Sequence, residues 1–214
     1  MLILLDLDDT LVRRQAVFSD WAKEFASRYP DDAGLVAWLT EEDRGGWRPR
    51  QELWSLVKTR LNLEPPVEQL VADWQQDFTA RFALQPDAAD ALKRARSSGW
   101  RLGVVTNGDA HGQAAKVSAA RLDELVDAVC ISGAEGIEKP DRRIFERAAD
   151  RCGAELTGGW MVGDNAVADI QGAHNAGLHS VWINYDSDAW PDDLPRPTAS
   201  AATVAAAVGL VLSA

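Results

Sequence analysis

Five short apolar runs punctuate this chain, each followed sooner or later by a stretch of helical periodicity, and few folds accept that rhythm. Leu2 to Leu5 is unbroken and apolar, the pattern of a strand buried on both faces. Similar strands are expected at Arg101–Thr106, Asp127–Ile131, Trp160–Val162 and Ser180–Ile183. Helical patterns alternate with them at Pro86–Ser98, Gln113–Leu122, Arg142–Cys152, Val167–Ala176 and Ala201–Leu212, and an Asp- and Pro-rich loop from Asp186 to Ala199 precedes the last. The alternation predicts an α/β fold with a Rossmann-like parallel sheet core flanked by helices on both faces. Right-handed crossovers then bring every strand's C-terminal end to one edge, where open α/β sheets bind ligands.

Residues 15–81 break the rhythm. They lack a buried strand and carry helical spacing instead, as in Trp21, Phe25 and Arg28 or Leu53, Leu56, Val57 and Leu61. Five tryptophans fall here (Trp21, Trp38, Trp47, Trp54 and Trp74), most simply as packing. The division expected is a core of 1–14 with 82–214, and an all-helical domain of 15–81 inserted after the first strand.

With 214 residues, 46% of them hydrophobic, the chain can bury such a core without a disulfide or structural metal. Cys130 and Cys152 have no CxxC spacing, which suits free thiols in a reducing, cytoplasmic compartment. The net charge of −11 argues against nucleic acid or an anionic membrane surface as the main partner. No apolar stretch reaches the roughly 20 residues that cross a bilayer, and the N-terminus lacks the basic segment of a signal peptide. A monomer or small homo-oligomer acting on a small molecule is expected.

Four motifs sit at the predicted strand ends. Asp6-Leu7-Asp8-Asp9-Thr10 follows the first strand. A carboxylate held against a divalent cation stays ionised and can attack phosphorus, while a second can protonate the leaving oxygen and later deprotonate water. Thr106-Asn107-Gly108 offers a hydroxyl and consecutive backbone N–H groups to an oxyanion. Lys139 precedes Pro140, read as the first residue of a helix; a cation gains nothing from a helix N-terminus, which suggests a lysine aimed at an anion. Gly163-Asp164-Asn165 with Asp169 can converge as the few hard oxygen ligands that magnesium prefers, although Asp164 or Asn165 could equally cap the following helix. Each motif alone also has a plain structural reading; in this order, all at one sheet edge, they point to a site.

In those segments the chain resembles the haloacid dehalogenase (HAD) superfamily. Asp6-x-Asp8-x-Thr10 matches its first motif, Thr106-Asn107-Gly108 its second, Lys139-Pro140 its third and Gly163-Asp164 with Asp169 its fourth; Phe145, Gly172-Ala173, Ala176-Gly177 and Val181-Trp182-Ile183-Asn184 add to the likeness. The helical insertion stands where subfamily I members carry a C1 cap. The resemblance implies that Asp6 is the nucleophile and a metal ligand, and that Asp8 is the general acid/base and offers its carbonyl to the metal. It further implies that Thr106, Asn107 and Lys139 bind the phosphoryl group, that Asp164 holds the metal and Asp169 supports it directly or through water, and that the cofactor is Mg2+. The carboxyl group of Asp8 points to phosphate chemistry rather than dehalogenation. Asp9-Thr10 replaces the Gly-Val usual in phosphomutases of this type, and neither cap lysine, Lys23 or Lys58, looks placed for the Schiff base of phosphonate hydrolases. The expected function is a phosphatase for a small phosphorylated metabolite; a sugar phosphomutase and a catalytically inactive binding protein are the alternatives. In the cap, Arg44-Gly45-Gly46-Trp47-Arg48-Pro49-Arg50 is either a specificity loop, in which Arg44, Trp47 and Arg48 meet a second anionic group or a ring, or a solvated turn with Trp47 packed into the cap core. Arg13 and Arg14 either serve the same purpose or face solvent. His111, His174 and His179 show no ligand spacing, and His111 is expected on a helix surface.

Overall fold

The computed structural model describes residues 1–185 and 189–214; the first residues of the expected loop, 186–188, lie outside them. The chain divides into two compact units, one of 1–13 with 83–214 and the other of 14–82.

In the larger unit β1 (Leu2–Leu5) leads into the helical unit, which comprises α1 (Arg14–Ala26), α2 (Leu35–Asp43), α3 (Arg50–Leu61) and α4 (Val67–Thr79). The chain returns through α5 (Ala88–Ser97) and continues with β2 (Arg101–Thr106), α6 (Ala110–Ala119), β3 (Ala128–Ile131), α7 (Ser132–Glu135), α8 (Arg142–Cys152) and β4 (Trp160–Gly163). It ends with α9 (Gly172–Ala176), β5 (His179–Ile183), β6 (Ala199–Ala201) and α10 (Val204–Leu212). All strands pair in parallel in the order β3-β2-β1-β4-β5-β6, so the strand order reverses direction beside β1.

Every residue of β1 is inaccessible, as expected of a central strand covered on both sides. Leu2 and Leu4 join Val105, Cys130, Ile144, Phe145, Ala148, Met161 and Ala173 in one apolar cluster under α8 and α9. Ile3 and Leu5, pointing the other way, are equally buried. No helix among the described residues is long and apolar enough to cross a membrane.

Several boundaries differ from the sequence expectation, each for a local reason. Asp87 adopts a left-handed backbone (φ 61°), so α5 begins at Ala88 rather than at Pro86. The Asp109 carboxyl accepts from Gly112 N and starts α6 at Ala110, before Gln113. Thr203 caps α10 through Ala206 N, which moves its start from Ala201 to Val204 and leaves Ala199–Ala201 to pair with β5 as an edge strand. The helix expected at 167–176 is a wide π-turn over Ala166–Gln171 followed by α9.

The helical unit is organised by aromatic packing. Trp21 stacks on Phe25 with ring centroids 5.1 Å apart and meets Trp54 and Trp74 edge-on at 6.1 and 6.0 Å, while Trp74 stacks on Phe78 at 4.6 Å. Leu53 and Val57 face this core, whereas Leu56 is exposed. Trp47 is 67% exposed, so the expectation that it packs into the unit's core is corrected.

Candidate active site

The sheet reversal fixes where the first and fourth motifs meet. Asp6 N donates to Val162 O at 2.9 Å, extending the β1–β4 ladder by one residue and bringing Asp6 and Asp164 out of adjacent strand ends. Asp169 reaches the same point from the π-turn and accepts from Asn165 N at 3.0 Å. One oxygen from each of Asp6, Asp164 and Asp169 lies within 4.8 Å of the other two. Gly163 makes room for this: a Cβ there would lie 2.6 Å from Asp169 Cβ and nearer still to its carboxyl group. Capping of the turn falls to Asn165, whose Oδ1 accepts from Val167 N at 3.0 Å and Ala168 N at 2.8 Å. The Asp164 carboxyl is left to accept from Thr10 Oγ1 at 3.2 Å, which removes the capping alternative for Asp164.

Lys139 closes the cluster. Its Nζ donates to Asp6 Oδ1 and Asp169 Oδ1, each at 2.6 Å, and the residue is 4% exposed. Pro140 is not the first residue of α8; Asp141 caps that helix by accepting from Arg143 N at 2.9 Å, so Lys139 stands before the cap. What holds the lysine is the Asn107 side chain, which donates to Lys139 O and accepts from Lys139 N, both at 2.9 Å. The motif was expected to contribute a backbone N–H; its amide side chain is a clamp besides.

Burial pushes the Asp6 carboxyl up to about 7, with Lys139 opposing and Asp169 adding to the shift. Burial, then the charges of Asp6 and Asp169, push Asp164 up to about 9. Burial works against the Lys139 ammonium, but Asp169 and Asp6 outweigh it and hold the group above its ordinary range. Three clustered carboxylates facing one ammonium carry two surplus negative charges when ionised. A hard divalent cation with few protein ligands fits that oxygen set and that charge.

The second motif meets Asp8 through residues that sequence reasoning missed. Buried Thr106 accepts at Oγ1 from Gln113 Nε2 at 2.6 Å, and the same amide reaches Asp8 Oδ2 at 3.0 Å. Lys116 Nζ donates to Asp8 Oδ1 at 2.8 Å and Oδ2 at 2.6 Å. Gln113 and Lys116 stand three apart on α6 and so share a face. The one available signal was that two long polar side chains follow the second motif at helical spacing. His111, His174 and His179 are exposed.

In the helical unit Arg44 is exposed with a left-handed backbone (φ 52°), and Arg48 is paired with the Glu42 carboxylate while donating to Glu42 O at 2.6 Å. Arg14 is neither solvated nor available to a ligand: it is buried and grips Asp43 at 2.7 Å, with Arg50 on the same carboxylate at 2.6 Å. Arg13, in the sheet unit, stacks 4.0 Å above the Tyr185 ring, and the Tyr185 hydroxyl donates to Thr10 O at 3.1 Å.

A parallel sheet of this order, with carboxylates and a buried lysine at its reversal point, defines an α/β enzyme working at its strand ends. A family model described as haloacid dehalogenase-like hydrolase matches residues 1–177, and the chain belongs to that family. It is 37% identical to a glyceraldehyde 3-phosphate phosphatase of Pyrococcus abyssi, over 86% of this chain and 81% of the relative. It is 38% identical to a phosphoserine phosphatase of Thermus thermophilus, over 89% of this chain and 93% of the relative. Among solved structures, L-2-haloacid dehalogenase from Xanthobacter autotrophicus shares the fold with a TM-score of 0.74 at 21% identity, covering 99% of this chain and 98% of that one.

Proposed function

We propose that the protein is a magnesium-dependent phosphatase that hydrolyses a small phosphomonoester through an aspartyl-phosphate on Asp6. The observation that carries this reading is the Lys139 ammonium spanning Asp6 and Asp169 at 2.6 Å inside a triad of carboxylates. The phosphatase names of both relatives support it. Asp6, Asp164 and the Asp8 carbonyl, with Asp169 directly or through water, would hold a magnesium ion, which would supply neutralising charge to the Asp6 carboxylate and the phosphoryl oxygens.

In the first half-reaction an Asp6 oxygen bonds to phosphorus, the bond from phosphorus to the ester oxygen breaks, and the departing oxygen takes a proton from Asp8. In the second, Asp8 removes a proton from water, the water oxygen bonds to phosphorus, and the phosphorus–Asp6 bond breaks, freeing phosphate. Lys139 and the Thr106 hydroxyl hold the phosphoryl oxygens, assisted by the Asn107 N–H, and the Asn107 side chain keeps the Lys139 backbone in place. The helical unit is the cap that selects the substrate. With Arg48 tied to Glu42, selection falls to the exposed Arg44 and Trp47.

Hydrolysis of p-nitrophenyl phosphate with and without magnesium tests the proposal, turnover being expected only with the metal. Folded protein that hydrolyses no phosphomonoester would sink it, and conversion of a hexose 1-phosphate to its 6-phosphate would make it a mutase.

A further inference from the structure

Lys116 is 7% exposed, in the second half of α6, and sends its ammonium to one carboxylate that the expected roles single out. Burying an ammonium is unfavourable unless it is paired, and its partner is unusual: the Asp8 side chain is 24% exposed and so open to the solvent side of the sheet edge. An ion pair serving stability alone has no need of a carboxylate at a sheet's ligand-binding edge. Contacts of 2.8 and 2.6 Å to both Asp8 oxygens hold the carboxyl group more firmly than one contact would.

Gln113 adds a second constraint. Its Nε2 lies 3.0 Å from Asp8 Oδ2, 2.6 Å from Thr106 Oγ1 and 3.3 Å from Asn107 O, so one amide ties the carboxyl group to the hydroxyl and backbone of the second motif. Gly108 permits this approach. Its φ is +146°, and a Cβ there would stand 2.9 Å from the Gln113 side chain.

We propose that Lys116 and Gln113 are positioning residues for Asp8, fixing its carboxyl group relative to the phosphoryl site so that its proton reaches the departing oxygen. The inference rests on the reading of Asp8 as general acid/base. Neither residue touches the reacting atoms; Lys116 acts through Asp8, and Gln113 through Asp8 and the Thr106 hydroxyl.

The test exploits leaving groups. A p-nitrophenolate departs with little need of a proton, whereas an alkoxide cannot, so damage to proton delivery is selective for alkyl esters. We would compare kcat/KM of the magnesium-loaded enzyme for p-nitrophenyl phosphate and β-glycerophosphate in wild type, Lys116→Met, Lys116→Arg and Gln113→Met. Lys116→Met should lose about 100-fold on the alkyl ester and less than about tenfold on the aryl ester, and Lys116→Arg should regain most of the alkyl loss. Equal losses on both esters, or none, would overturn the inference. Should Lys116→Met prove unfolded by circular dichroism, Lys116→Gln, which keeps a polar side chain but no charge, decides by the same comparison. Asp8→Asn in parallel keeps the two levels apart: if it fails to discriminate between the esters, the acid/base reading fails; if it discriminates and the α6 variants do not, only the positioning role fails.

Discussion

Replacing Gly163 by Ala should damage the site through one methyl group. The new Cβ would stand 2.6 Å from Asp169 Cβ and closer still to its carboxyl group, where ordinary contact begins near 3.4 Å. Asp169 must then move by about 1 Å, and it cannot do so freely. It is fully buried, with Lys139 Nζ at 2.6 Å and Asn165 N at 3.0 Å as its partners. Weakening one or both of these bonds, each worth about 1.5–3 kcal/mol because a charge is involved, sets a loss of about 3 kcal/mol. For a chain of this size that is a fall in Tm of about 6–12 °C, read by thermal unfolding in magnesium-free buffer. Magnesium affinity by calorimetric titration should fall at least about tenfold as a ligand is displaced. Gly209→Ala is the control: nothing lies within 4 Å of its added Cβ, and helix propensity makes it neutral to slightly stabilising. An unchanged Tm together with an unchanged magnesium affinity in Gly163→Ala would refute the packing of Asp169 against Gly163.

Other perturbations have equally direct readouts. Asp6 and Asp164 are raised to about 7 and about 9, so the metal-free protein binds more protons than the unfolded chain between about pH 4 and about pH 9. Their contribution to stability therefore declines as pH climbs through that window, and magnesium must displace those protons. Magnesium affinity should rise between pH 6 and 9, with proton release seen by calorimetry in buffers of different ionisation heat; a flat profile contradicts the assignment. Asn107→Ala removes both bonds at 2.9 Å to the Lys139 backbone and should lower kcat/KM by about 10–100-fold with little change in fold; wild-type kinetics would show that the clamp is dispensable. Asp43 is held below the usual carboxylate range because Arg14 and Arg50 outweigh its burial, so its contribution is present at neutral pH and is lost as pH falls below about 4. Asp43→Asn should destabilise the helical unit by about 3–5 kcal/mol at pH 7 and flatten that acid dependence, both read by denaturant unfolding.

The core of the sheet was legible because its central strands are buried on both faces, so apolar runs mark them, most plainly in Leu2–Leu5. The short edge strand Ala199–Ala201 carries no such run and was missed. That Asp6, Asp164 and Lys139 gather at one sheet edge was legible from their motifs, two of them following strands directly. Their partnerships were not. That Asn107 clamps Lys139 by its side chain, and that Gln113 and Lys116 reach Asp8, depends on loop geometry and on a helix that starts three residues earlier than its apolar pattern suggests. The burial of Arg14 escapes the sequence for a related reason: its partner Asp43, which it shares with Arg50, is distant in sequence, and only packing of the helical unit shows the charge to be buried and paired.

Covalent capture tests the nucleophile most directly. Asp8→Asn should still accept a phosphoryl group from p-nitrophenyl phosphate, whose leaving group needs no proton, but should release it slowly for want of a base. Mixing this variant with substrate and magnesium, then quenching in acid, should give a burst of about one p-nitrophenolate per site and one phosphoryl group on the peptide that contains Asp6. A burst with the label on any other residue, or phosphorylation that persists when Asp6→Asn is added to the variant, would contradict a nucleophilic Asp6.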